Sequence, residues 1–197
     1  QIGVMYQDDA FGQAGLQGVV DALKPQGLAP VVIASYPKNT EDVDAAVATI
    51  AAQKPQAVIL ISVTKSSAAF LTKYRARSKS ALIFNLSVVN PVAIARSIGD
   101  VDTRGFAITQ VVPDAGANAL PVAREYRTLL ARYGQGAEPS ATSFEEFLAA
   151  KTLVAGLRRT KVLDRAGLMA GLESLIKHDL GGYSVNFGPG NRRGSSY

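Results

Sequence analysis

Short apolar runs alternate along the first half of the chain with longer stretches whose apolar residues recur at helical spacing, and few folds accommodate that alternation. Residues 2–6 read as a buried strand, after which Leu16, Val19, Val20 and Leu23 mark a helix ended by Pro25 and Gly27. Residues 31–36 are again apolar and largely β-branched. Thr40 is predicted to cap the next helix, with Glu41 and Asp42 in its first turn and Val43, Val47 and Ile50 on its inner face. The unit repeats as strand 57–62, helix 66–77, strand 81–86 and helix 91–98, the last opened by Pro91. Continuously apolar strands separated by amphipathic helices predict an α/β fold, a parallel sheet with helices on both faces.

Ligands of such sheets sit outside the carboxyl ends of the strands. Segments 7–11, 62–66 and 85–90 each follow a strand and are expected to converge on one rim. A further strand is expected over 104–112, and then the pattern changes. Three helices in succession, 118–133, 142–159 and 164–176, do not continue a doubly wound sheet, so a boundary is expected near 112–117. Residues 181–187 read as a strand and 188–191, Gly-Pro-Gly-Asn, as a turn.

With 197 residues, 47% of them hydrophobic, the chain is long enough to bury a sizeable core in one domain or one and a half. No apolar run is long enough to cross a bilayer as a helix. The opening at Gln1, directly before a strand, reads as a piece of a longer or processed chain. The net charge of +5 comes from dispersed groups: Lys73, Arg75, Arg77 and Lys79; Arg158, Arg159 and Lys161; Arg192 and Arg193. Without one basic stripe these read as solvated faces, and no nucleic-acid partner is expected. The absence of cysteine excludes disulfides, zinc–thiolate sites and a thiol nucleophile.

The elbow Gln7-Asp8-Asp9-Ala10-Phe11-Gly12 is the most distinctive local feature. Asp8 and Asp9 are arranged like the acidic pair of a phospho-receiver, but strand 57–62 ends in Ser-Val-Thr, where that chemistry needs an aspartate. As a metal site the pair lacks further ligands, so no metal and no cofactor are expected; the simpler reading is that Asp8 or Asp9 caps the following helix. The glycine-rich 188–194 carries no Lys-Ser/Thr pair, and no helix follows it. His178, the single histidine, is expected at a helix end, favoured there by the helix dipole. Nothing in these groups argues for an enzyme. The rim instead carries Gln7, Phe11, Ser62, Thr64, Ser66, Asn85, Ser87 and Asn90, groups that exchange hydrogen bonds without titrating near neutrality and suit reversible capture of a small polar ligand.

The stretches IGVMYQDDAFGQAGLQGVVDALKPQGL, PQAVILISVTKSSAAFLTKYRA, TRGFAITQVVP, ATSFEEFLAAKTLVAGLRR and NFGPGNRRGSSY, in that order, resemble the leucine/isoleucine/valine-binding type of periplasmic substrate-binding protein, the extracellular ligand-binding receptors of ABC transporters. The resemblance implies the type I periplasmic-binding-protein fold, two α/β lobes that close on ligand. Residues 1–112 would be the second, C-terminal lobe; residues 113–180 helices returning to the first; and residues 181–197 a hinge or return strand and turn. A first-lobe portion of roughly a hundred residues would then lie outside the sequence, and exposed apolar side chains are expected on the helices after Asn118.

The resemblance also implies ligand contacts. Phe11 would lie against the ligand, Val63 and Thr64 would supply a second contact, and Gln7, Ser62 and Asn85 would complete the rim. The loop after the fourth strand gives amino-acid binders an acidic group to pair with the ligand's ammonium; the nearest residue here is Ser87, with no carboxylate beside it. A charge-assisted hydrogen bond contributes about 1.5–3 kcal/mol, so a carboxylate lacking an α-ammonium, or another amide-like or aromatic metabolite, is expected nearly as readily as a branched-chain amino acid. The implied function is that of a non-enzymatic, periplasmic solute carrier that partners a small molecule and an inner-membrane ABC permease. The alternative is a ligand-sensing domain of a receptor or transcription regulator with the same fold.

Overall fold

A computed structural model describes residues 1–99 and 103–195; the last two residues of the 181–197 segment lie outside the described residues. The chain divides into two compact units, Gln1–Gln110 and Val111–Tyr197.

The first unit runs β1 (Ile2–Gln7), α1 (Ala10–Leu23), β2 (Val32–Tyr36), α2 (Asp44–Ala52), β3 (Ala57–Ile61), α3 (Thr64–Arg75), β4 (Leu82–Asn85), α4 (Pro91–Ile98) and β5 (Phe106–Ile108). All five strands are parallel, in the order β2-β1-β3-β4-β5. From β1 the chain steps outward to β2 on one side, then passes to β3, β4 and β5 on the other. Right-handed crossovers therefore put α1 on one face and α2, α3 and α4 on the opposite one. The main core lies under those three helices, where Met5, Leu60 and Ile83 of the sheet meet Val47, Ile50, Phe70, Leu71 and Ile94. On the other face α1 rests on the sheet centre: Gly15 stands over Ile61, whose Cγ2 would lie 2.5 Å from a Cβ placed there. One helix cannot span five strands, and Ile33, Leu82 and Phe84 remain exposed.

Three expectations for this unit are corrected. Thr40 does not cap α2. Its hydroxyl donates to Pro37 O at 2.8 Å and accepts from Asp42 N at 3.3 Å, closing a turn within its own loop, so α2 starts only at Asp44. The strand expected over 104–112 pairs only at Phe106–Ile108: Thr109 N still donates to Asn85 O, but β4 ends there and offers no further partner. Arg75 is not on a solvated face. It is 4% exposed, and its guanidinium donates to Lys79 O, Ala81 O and Arg104 O at 3.3, 2.8 and 2.9 Å, closing the amino-end edge of β4 and β5.

The second unit holds α5 (Pro121–Tyr133), α6 (Ala141–Arg159), α7 (Arg165–Glu173) and a small antiparallel pair, β6 (His178–Asp179) and β7 (Ser184–Val185). Its core joins aliphatic residues such as Val122, Leu148 and Leu175 to an aromatic cluster: the Tyr126 and Phe144 rings lie 5.0 Å apart, with the partly buried Phe147 5.6 Å from Tyr126. His178 does not end a helix, because α7 stops at Glu173. It sits in β6 opposite Val185 and accepts from Arg159 Nη2 at Nδ1, 3.2 Å away. The Gly188–Asn191 turn forms, with both backbone hydrogen bonds in place. Leu153, Val154 and Leu157 of α6 are exposed.

Replacing Arg75 by Met leaves three carbonyls short of a buried cationic donor. Urea unfolding is expected to show a loss of about 3 kcal/mol; a loss below 1 kcal/mol would mean that water replaces the guanidinium without cost.

Candidate functional site

The strand order reverses between β1 and β3, so the crevice at their carboxyl ends is the natural ligand position of this sheet. The loops after β1, β2, β3 and β4 all open on that rim. At the first of them, Asp9 caps α1, its Oδ1 accepting Gly12 N at 3.0 Å, and Phe11 is half-buried in the helix's first turn. Gly12 is required by the approach of that turn to the strand end, since a Cβ there would stand 1.8 Å from Gln7 O. The aromatic–glycine pair thus has a steric cause. The glycine lets the helix descend onto the strand end, and Phe11 precedes it in the same first turn.

Gln7, Ser62 and Asn85 are 5%, 0% and 1% exposed, and each is committed to neighbours. Gln7 Nε2 donates to Asp9 Oδ2 at 2.8 Å, Tyr36 Oη donates to Gln7 Oε1 at 3.1 Å, and Ser62 Oγ donates to Tyr36 Oη at 3.1 Å. Asn85 Nδ2 donates to Ser67 Oγ and Asn85 Oδ1 accepts Leu86 N. These three hold the rim together from beneath. Thr64 accepts Asn90 N at its hydroxyl, Asn90 caps α4 through Ala93 N, and Ser66 Oγ donates to Thr40 O, so adjacent loops are laced to one another.

A cavity of about 440 Å³ opens between the loops after β2 and β3, lined by Asn39, Thr40, Glu41, Val63, Thr64, Lys65 and Ser66. Val63, Thr64 and Ser66 of the expected set reach it; Phe11 and the half-buried Ser87 lie outside its lining. The residues missed by sequence reasoning come from the loop after β2: Asn39, which takes the left-handed conformation at φ 59°, and Glu41, which brings a carboxylate to the cavity. The rule that placed the other loops on the rim applies equally to residues 37–43, and was the available signal. Lys65, at the start of α3, adds a cation.

The Gly12 N–H, above all, holds the Asp9 carboxyl below its ordinary range, helped by Lys38 at 3.1 Å and by Gln7. No group of three or more His, Asp or Glu suited to a metal occurs among the described residues, and no described helix is long and apolar enough to cross a membrane.

Comparison with known proteins identifies the family. The family model for periplasmic binding proteins matches residues 1–196, and the chain belongs to that family of solute-binding proteins. A substrate-binding periplasmic protein from Ralstonia solanacearum is 36% identical and superposes with a TM-score of 0.90; the match covers 100% of this chain and 56% of that one. A possible leucine/isoleucine/valine-binding protein from Rhodopirellula baltica gives 28% and 0.92, and an extracellular ligand-binding receptor from Verminephrobacter eiseniae 28% and 0.87, with 100% of this chain covered and 55% and 56% of theirs. No curated protein matches. The chain thus spans little more than half the length of these solved relatives, and the fold is the type I periplasmic-binding-protein fold in part.

Two outcomes are expected. Gly12→Ala forces α1 away from the Gln7 carbonyl and lowers stability by more than about 2 kcal/mol, measured by thermal or urea unfolding. Because the folded-state pKa of Asp9 is depressed, its contribution is fully present above the unfolded value, about pH 4, and is lost as pH falls through the folded one. The stability difference between the wild type and Asp9→Ala is therefore expected to be constant from pH 7 to 5 and to shrink steadily below pH 4.

Proposed function

We propose that this chain is part of the periplasmic solute-binding component of an ABC importer, which captures an amino acid or small organic acid and delivers it to an inner-membrane permease without chemical change. The rim of Gln1–Gln110 is one wall of the ligand cleft, and Phe11, Val63, Thr64 and Ser87 are its ligand-facing positions, with Gln7, Ser62 and Asn85 beneath them. The observation that supports this most is the polar cavity beside the topological switch, of a size suited to a small metabolite.

The charges around the cavity bear on the ligand. No acidic residue flanks Ser87 in the sequence, which favours a solute without an α-ammonium, while Glu41 on the cavity wall is placed to receive an ammonium should the solute carry one. Lys65 provides for a carboxylate in either case.

The test is a thermal-shift series on the full two-lobed protein with L-leucine, 4-methylpentanoate (leucine without its ammonium) and a panel of other amino acids and carboxylates. A ligand at a hundred times its dissociation constant adds about 2.7 kcal/mol, and at least one member is expected to raise the melting temperature clearly. If leucine acts and Glu41→Gln abolishes the shift, Glu41 is the ammonium partner. If only 4-methylpentanoate acts, Ser87 marks an organic-acid site. No shift with any member overturns the solute-capture proposal.

A further inference from the structure

We propose that Tyr36 and Asp9 are positioning residues of the solute site: the hydrogen-bonded chain Ser62–Tyr36–Gln7–Asp9 makes the loops after β1, β2 and β3 one mechanical unit that sets where Phe11, Val63 and Thr64 stand. This rests on the reading of the rim as a solute site.

Each member stands where a strand meets its loop. Tyr36 is the last residue of β2, Gln7 the last of β1, Ser62 follows β3, and Asp9 precedes α1. The strands lie side by side as β2-β1-β3, so the phenol spans from one outer strand, past the central one, to the other. Tyr36, Gln7 and Ser62 are at most 5% exposed, which leaves them no direct part in holding a ligand and makes them the support of residues that do.

The proton count fixes the direction of the chain. The Tyr36 hydroxyl has one proton, given to Gln7 Oε1, and so must accept from Ser62. The Gln7 amide cannot be reversed, because that would set Oε1 against the Asp9 carboxylate. Every donor therefore points toward one carboxylate, which also takes the Gly12 N–H and the Lys38 ammonium. A chain polarised in one sense strengthens each of its links. The Asp9 carboxylate is thus shared by the cap that fixes Phe11 and by the chain that fixes Ser62, immediately before Val63.

Ser62 has one other acceptor, Val63 O at 3.4 Å. Removing the phenol hydroxyl lets Ser62 turn to its own loop, so the fold keeps a satisfied serine while the loop loses its tie to β1 and β2. Asp9→Ser separates the two roles of Asp9: serine caps a helix about as well as aspartate does, but its short side chain has a single oxygen, taken by the Gly12 N–H, and cannot also accept from the Gln7 amide, which breaks the chain at its anchor.

The experiment compares the wild type, Tyr36→Phe, Asp9→Ser and the double variant of the full two-lobed protein. Calorimetric titration uses L-leucine and 4-methylpentanoate as probes, and amide hydrogen exchange is followed over residues 11–13 and 63–66 without probe. Each single variant is expected to weaken binding of the accepted probe at least tenfold while melting within a few degrees of the wild type. Exchange is expected to quicken in the 63–66 loop in both, and the double variant to bind within about twofold of the weaker single one, since both break one chain. Losses that multiply in the double variant, or affinity unchanged in both singles, overturn the proposal. If the wild type binds neither probe, the exchange data alone decide it: faster exchange at 63–66 in both singles supports the shared unit, and unchanged exchange overturns it. Rejection of both probes counts separately, against the proposed ligand class.

Discussion

Right-handed crossover between parallel strands is the constraint on which the rest of this structure depends. A strand twisted in the right-handed sense returns to its sheet through a helix on one side only. Because the chain leaves β1 outward to β2 and then comes back past it to β3, the helices are forced onto opposite faces and the β1–β3 boundary becomes the place where two loops diverge. The crevice between diverging loops is a product of connectivity. It would exist whatever side chains lined it.

What lines it has been settled by hydrogen-bond bookkeeping in a small space. Buried polar groups at the strand ends must find partners, and Gln7, Tyr36, Ser62, Asn85 and Ser67 find them in each other. The outer residues, Thr40, Glu41, Val63, Thr64 and Lys65, are then left to face the cavity. Gly12 belongs with the buried group, because it allows the close approach of α1 to the end of β1.

Each unit leaves apolar side chains uncovered. In Gln1–Gln110 three helices on one face and one on the other leave Ile33, Leu82 and Phe84 exposed. In Val111–Tyr197 an aromatic cluster joins aliphatic residues in the core, yet Leu153, Val154, Leu157 and Leu163 remain exposed. The solved relatives are nearly twice as long as this chain.

The sequence by itself determined the alternation of strands and helices, the parallel sheet, and the capping of α1 by one aspartate of the Asp8–Asp9 pair, because period, composition and cap chemistry are local properties. It also carried the ordered motifs by which the family is recognised. Local reading failed where a group had a choice of partners: Thr40 closed a turn in preference to capping a helix, Arg75 turned inward to three carbonyls, and His178 joined a strand pair. Only the tertiary structure decided that Tyr36, from a strand with no assigned site role, would bridge Gln7 and Ser62, and that Glu41 would stand on the cavity wall. The physical reason is that these contacts join residues 26 or more apart in sequence, from one strand end to the next or past an intervening strand, and no local pattern records which loops a right-handed crossover will set side by side.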